Sequence, residues 1–167
     1  MQCNCGGHNQ LRIAGVPVGP EIEAPRVWEK AGLTSGEEQG SIIIVVATDA
    51  PLLPHQLKRL ARRASLGLAR TGSTSGNGSG DIFMAFSTAN PEAARLKGAA
   101  QAQMIANGEL DPIFSATAEA TEEAIVNALV AAETMTGADD HTVLALPHDR
   151  LREVLRKYGR LQEKGNP

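Results

Sequence analysis

Hydrophobic and polar residues alternate in distinct rhythms along the chain, and each rhythm predicts an element. Residues 12–18 (Arg12 to Val18) read as a short strand that Gly15 and Pro17 weaken. Pro20 to Gln39 is rich in Glu, Gly and Pro, lacks periodicity and reads as an exposed linker. At Ser41 the character changes. Ser-Ile-Ile-Ile-Val-Val-Ala-Thr is β-branched and unalternating, the pattern of a strand covered on both faces. A helix follows from about Pro54 to Arg70, with Leu57, Leu60, Ala61, Ala64 and Leu68 at helical spacing and Lys and Arg between them. The stretch Thr71 to Gly80 contains only small residues and enters a second apolar strand, Asp81 to Thr88. Asn90-Pro91-Glu92 predicts a helix start, closed by Asn107-Gly108. Thr121, followed by Glu122 and Glu123, predicts another helix start, with Ile125, Leu129, Ala132 and Met135 on one face and Gly137 just past its end. His141 to Leu146 reads as a short strand. Pro147 opens a last helix striped by Leu151, Val154, Leu155 and Tyr158 and stopped at Gly159. Strands mixed with amphipathic helices predict an α+β layered domain.

Composition narrows the function. The 167 residues are 42% hydrophobic, enough for a core, and only 3% aromatic, which leaves little to stack on single-stranded nucleic acid. A net charge of -3 provides no general basic field for nucleic acid or a membrane. The charge is segregated, however. Lys58, Arg59, Arg62, Arg63 and Arg70 form a basic block without acids, and eight acidic residues lie between Glu109 and Asp140 without a base. The basic block reads as a solvated helix face with the acidic block as its counterpart, within or between subunits. Two cysteines cannot make a disulfide framework, the apolar run Ile42 to Ala47 is too short to span a bilayer, and MQCNCGGHNQ lacks the pattern of a signal peptide. The expectation is a cytoplasmic protein.

Three features could carry chemistry. Cys3, Cys5 and His8 form a C-x-C-x-x-H group, but a structural zinc site needs four ligands, so the cysteines read as two surface-proximal thiols and no metal is expected. Gly76-Asn-Gly78-Ser-Gly80 offers backbone amides, yet it follows a helix and precedes a strand, the reverse of the dinucleotide fingerprint, and no Gly-Lys-Ser/Thr is present. It does lead to Ser79 and Asp81 at the mouth of a strand. The third feature is Gln39-Gly40-Ser41-Ile42, where a polar linker meets a core strand at Gly-Ser. One reading is a plain strand start. The other is an N-terminal nucleophile, in which the Ser hydroxyl attacks the preceding carbonyl and cleavage frees an α-amine of pKa about 7.7–8.0 to act as base.

The stretches GSIIIVVATDAPLLPHQLKRLARRASLGLARTGS, SGNGSGDIFMAFSTAN, ATEEAIVNALVAAETMTG and LPHDRLREVLRKYG, with LRIAGVPVG upstream, resemble the L-aminopeptidase/D-esterase (DmpA-type) family. The resemblance implies a precursor that cuts itself at Gly40-Ser41, so that residues 1–40 are the end of an α-chain and linker and 41–167 a β-chain. It implies an αββα four-layer sandwich of the type shared with ornithine acetyltransferases, and an oligomeric enzyme without a metal or organic cofactor. Ser41 matches the nucleophile, Ser79 the hydroxyl beside it, Asp81 an acidic residue that orients the cluster, and Asn4 an asparagine of the oxyanion hole. Two departures stand out. Cys5 replaces the aromatic residue usual after that asparagine, and Met1 stands three residues before Asn4 where the family has a long segment. Most of the α-chain portion is therefore expected to be absent. The implied activity is removal of N-terminal residues from short peptides, amides or esters through an acyl-enzyme on Ser41, the partner being that substrate together with further copies or the absent α-chain segment. The alternatives are a truncated, inactive fragment acting as a subunit or interaction module, and acyl transfer of the ornithine acetyltransferase kind, against which Ser41 in place of a threonine argues.

Overall fold

Ser41–Thr48 is the central strand of a three-stranded sheet. The computed structural model describes residues 2–23, 40–138 and 142–162, the first three by backbone alone. Gln2–Asn4 (β1) pairs antiparallel with Ser41–Thr48 (β2), Asn4 opposite Ser41. Ile82–Ser87 (β3) pairs parallel on the other side, from Ile43 opposite Ile82 to Thr48 opposite Ser87. Parallel neighbours need a crossover, and Val18–Glu21 (α1) being too early and too short, the 17-residue helix Pro54–Arg70 (α2) supplies it.

The helical stripe of α2 lands where its spacing predicts. Ile42 and Ile44, 1% and 4% exposed, pack with Ala64 and Leu68 of α2 and with Ile125 of Asp111–Ala131 (α3). Burying such side chains contributes about 1.5–3 kcal/mol each. The opposite face of the strands is a correction to the sequence reading. Ile43 and Val45 are 42% and 48% exposed, and Ile82, Met84 and Phe86 are about half exposed. Among the described residues the sheet is covered by helices on one face only. This gives one helix layer and one sheet layer of the expected sandwich.

α2 and α3 cross closely at Gly67. A Cβ there would stand 2.4 Å from the Ala118 carbonyl oxygen and 2.6 Å from Thr121 Cβ, so only glycine fits. α3 begins ten residues earlier than expected. Asp111-Pro112 starts it, and Thr121 lies mid-helix, where its hydroxyl donates to the Thr117 carbonyl at 2.8 Å. That local bond satisfies the hydroxyl without a cap. The helix also ends earlier, at Ala131, because Met135–Thr136 (β4) turns into a small hairpin with Thr142–Val143 (β5). The predicted strand 141–146 is reduced to β5, and His141 lies outside the described residues.

The helix expected over 90–107 does not form. Pro91–Ala94 is a single 3-10 turn, and a second 3-10 turn, Asn107–Glu109, follows an irregular run. Asn90 does not cap a helix; it closes the loop, its amide donating to the Gln103 carbonyl (3.1 Å) and its oxygen accepting from the Gln103 N–H (2.8 Å). Gln56, wholly buried at the start of α2, ties this loop down by donating to the Ile105 carbonyl (2.8 Å) and to Asn107 (3.1 Å).

A second core gathers Ile13, Val16, Val18 and Ile22 against Leu151 and Val154 of His148–Lys157 (α4). Residues 12–18 are a tight reversal rather than a strand: Ile13 and Val16 bridge, with Ala14 and Gly15 at φ of 52° and 77° between them. α4 is clamped from outside by Glu21, which accepts from Lys157 Nζ (2.8 and 2.9 Å) and from the Tyr158 hydroxyl (2.8 Å). Three residues of the α2 basic block meet partners within the chain, Arg59 and Arg63 over the Phe114 ring at 5.1 and 4.1 Å and Arg70 paired with Glu122 at 3.3 Å. Among the described residues no helix is long and apolar enough to cross a membrane.

Candidate active site

The two strands that run side by side begin at the same end of the sheet, and this brings Ser41 and the Gly/Ser loop together. Ser41 is the first residue of β2, and Asp81 immediately precedes β3. A turn in which the Ser79 N–H donates to the Gly76 carbonyl (2.9 Å) folds the loop back onto the strand ends. The Gly80 N–H donates to Ser41 Oγ at 2.9 Å. A Cβ on residue 80 would come within 3.3 Å of that oxygen, closer than most such contacts, so the glycine lets the amide approach.

Asp81 is the hub of the corner. Its Oδ1 accepts from the Ile42 N–H (3.0 Å) and from Ser79 Oγ (2.6 Å), and its Oδ2 accepts from Ser75 Oγ (2.7 Å). Partial burial pushes this carboxyl up, but the hydrogen bonds from Ser75, Ser79 and Ile42 outweigh it and hold the carboxyl below its ordinary value. The group is therefore a carboxylate at neutral pH. Ser41 and Ser79 are half-buried, and Gly40, on the other side of the candidate scissile bond, is buried.

Three of the expected residues, Ser41, Ser79 and Asp81, thus meet at one corner, with one change in wiring. Ser79 turns its hydroxyl to Asp81, and what holds Ser41 Oγ is the neighbouring Gly80 amide. Asn4 stands opposite Ser41 in the β1–β2 ladder, and its side chain lies outside the described ones. Sequence reasoning missed Gly80, which acts through its backbone, and Ser75, which hides in a run of small residues. Of the C-x-C-x-x-H group, the Cys3 side chain lies outside the described ones, and His8 Nε2 donates to the Ile22 carbonyl at 2.7 Å. A carbonyl only accepts, so that nitrogen carries the proton. Among the described residues no three His, Cys, Asp or Glu gather as metal ligands would.

A cleft of about 910 Å³ is lined by His8, Leu11, Val18, Ile22 and Leu146 and by none of Ser41, Ser79 or Asp81. A smaller one, about 230 Å³, starts at Cys5, one residue past Asn4, and runs along Thr71 and Ser73.

A hydroxyl on the first residue of a core strand, with an amide donor on it and a carboxylate behind it, is an arrangement that an N-terminal-nucleophile hydrolase can use. The solved L-aminopeptidase D-Ala-esterase/amidase from Ochrobactrum anthropi, described as a variant of that hydrolase fold, superposes with a TM-score of 0.80 at 48% identity, over 94% of this chain and 42% of its own. A Burkholderia beta-aminopeptidase superposes with a TM-score of 0.76 at 41% identity, over 94% and 43%. Peptidase family S58 matches residues 1–143, and the chain belongs to that family. Beta-peptidyl aminopeptidase BapA of Sphingosinicella microcystinivorans is 48% identical over 96% of this chain and 43% of its own length. That of Sphingosinicella xenopeptidilytica is 45% identical over 93% and 41%. The chain thus spans about two fifths of the length of the curated relatives it matches.

Proposed function

We propose that the protein is a self-processing serine aminopeptidase in which Ser41 is the nucleophile. The observation that carries this reading is the placement of Ser41 Oγ at a strand start, held by the Gly80 amide beside an ionised Asp81, in a chain of a peptidase family. In the first stage Ser41 Oγ adds to the Gly40 carbonyl carbon and the Gly40–Ser41 amide bond breaks. The acyl group passes to oxygen and the Ser41 nitrogen becomes an amine. Water then cleaves the ester, leaving Gly40 as a carboxylate and Ser41 with a free amine and a free hydroxyl. Residues 1–40 and 41–167 become separate chains held by the β1–β2 ladder and by the second core.

In the second stage that amine, of pKa about 7.7–8.0 when unperturbed, takes the hydroxyl proton as Oγ attacks the substrate carbonyl. The proton passes to the leaving amine or alcohol, and water hydrolyses the acyl-enzyme. Asp81 balances the positive charge on the amine through its place beside Ile42, and Ser79 fixes the carboxylate. Asn4 donates to the oxyanion, a contribution typically of about 2.7–4 kcal/mol for one such donor. The proposed substrates are short peptides, amino-acid amides or esters with a free N-terminus. The enzyme assembles as an oligomer, and the open sheet face gives apolar surface for burial against further copies or the remainder of the polypeptide. A chain with two cysteines suits a reducing compartment, and we place the enzyme in the cytoplasm.

Intact-mass spectrometry of the full-length protein tests this. The expected result is a fragment beginning at Ser41, absent in Ser41→Ala. A wild-type protein that stays a single chain and still hydrolyses amino-acid amides would overturn the mechanism.

A further inference from the structure

Ser75 holds the one oxygen of Asp81 that neither Ser79 nor the β2 backbone engages. Its own backbone has φ of +48°, the left-handed region that penalises a side chain and that glycine occupies freely. Glycine is plentiful nearby, at 72, 76, 78 and 80, yet position 75 is a serine. The conformation is secured from below, where the Ser75 N–H donates to Ser73 Oγ at 3.3 Å and Ser73 itself is buried. The outcome of this arrangement is the 2.7 Å bond from Ser75 Oγ to Asp81 Oδ2.

A carboxylate is planar, and its terminal torsion is soft. With both Ser79 and Ile42 on Oδ1, the group could pivot about that oxygen. A donor on Oδ2 fixes the plane, and with it the direction in which Oδ1 meets the β2 backbone one residue past the nucleophile.

We propose that Ser75 is a positioning residue for the Ser41 chemistry: its hydroxyl locks the Asp81 carboxylate in the orientation that serves the nucleophile's end of β2. This rests on the reading of Ser41 as nucleophile and adds a residue to it. Two roles for Ser75 are separable. If it only shapes the turn, glycine does so at least as well. If it positions Asp81, glycine keeps the turn and loses the function.

The groups facing Asp81 are the hydroxyls of Ser75 and Ser79 on its own loop and the Ile42 amide on β2. No charged side chain contributes to the shift of its carboxyl among the described residues. The experiment compares wild type, Ser75→Gly and Ser75→Asn in the full-length protein by melting temperature, by NMR of the Asp81 carboxyl titration and Ile42 amide exchange, and by the rate at which the Ser41 fragment forms. Ser75→Gly should melt no lower than wild type, raise the Asp81 midpoint, speed Ile42 exchange and slow fragment formation about tenfold, the scale of one hydrogen bond to a charged group. Ser75→Asn tolerates the same backbone and keeps a donor, so it should recover part of each change. Wild-type values of the Asp81 midpoint and Ile42 exchange in Ser75→Gly would overturn the proposal. Should Ser75→Gly also melt lower, Ser75→Asn decides, its recovery of the midpoint supporting the role and its failure refuting it. Absence of any Ser41 fragment from wild type would count against the nucleophile alone, because the titration and exchange still judge Ser75.

Discussion

Ile42 and Ile43 are adjacent in β2 and have nearly identical chemistry, yet one is 1% exposed and the other 42%. Ile42 and Ile44 point into the helices α2 and α3; Ile43 and Val45 point with Ile82, Met84 and Phe86 to the open side. The residues on the two faces are equally apolar. What differs is only what the described chain lays over them, so an unbroken apolar strand announces two covered faces without saying what covers each. The closed face has its cover in this chain, and the open face has the composition of a surface meant for burial.

That contrast can be pressed in several ways. Ile44→Ala leaves a cavity under α2, and should lower unfolding free energy by about 2–5 kcal/mol in urea titration. Gly67→Ala forces apart the helices that make the closed face, its new Cβ facing the Ala118 carbonyl and Thr121, with an expected loss of about 1–3 kcal/mol by the same measurement. Glu21→Gln probes the second core, away from both faces. The bond from Lys157, then that from Tyr158, holds the Glu21 carboxyl below its usual 4.5. Its contribution is present above that value and lost as pH falls through the lowered one. The same bonds raise Lys157 and Tyr158 above 10.5 and 10.0, and their contribution is present below those values and lost as pH rises through the raised ones. Thermal melts of wild type and Glu21→Gln should therefore differ modestly between these limits and converge at both extremes. Smallest of all, Val45→Thr on the open face should shift stability by no more than about 0.5 kcal/mol in the monomer. A loss as large as that of Ile44→Ala would show the open face to be covered, and the contrast would collapse.

The same logic explains which elements were readable beforehand. α2 was legible because Leu60, Ala64 and Leu68 repeat at helical spacing and all three are buried. α4 was legible through Leu151 and Val154 for the same reason. The first half of α3 was not, since Ser115 to Ala120 contains no large apolar residue to mark a period, and Thr121-Glu-Glu imitates a cap. Residues 90–107 imitate a helix through Asn-Pro-Glu and alanines, while the side chain that looked like a cap is spent on Gln103. At the candidate site Ser41, Ser79 and Asp81 were visible through the Gly-Ser junction and the family resemblance. The Gly80 amide has no side chain to betray it, and a serine among glycines looks like mere flexibility.

β2 and β3 run in the same direction, and Ser41 and Asp81 stand where both begin. In most open parallel sheets ligands gather beyond the carboxyl ends, where the loops leaving the strands can vary. The candidate site lies at the opposite, amino ends. At the amino ends the backbone presents N–H groups, and two of them, from Ile42 and Gly80, already serve Asp81 and Ser41. These two amides place fixed partial positive charge at this corner. They favour whatever negative charge arrives or develops there, a carboxylate now and, in the proposed mechanism, an oxyanion during acyl transfer. This placement also shifts the burden of diversification onto the segments that enter the strands. Lengthening residues 71–80 by a single residue would displace Asp81 from its donors, whereas the loops at the far end of the same strands can change length without touching the chemistry.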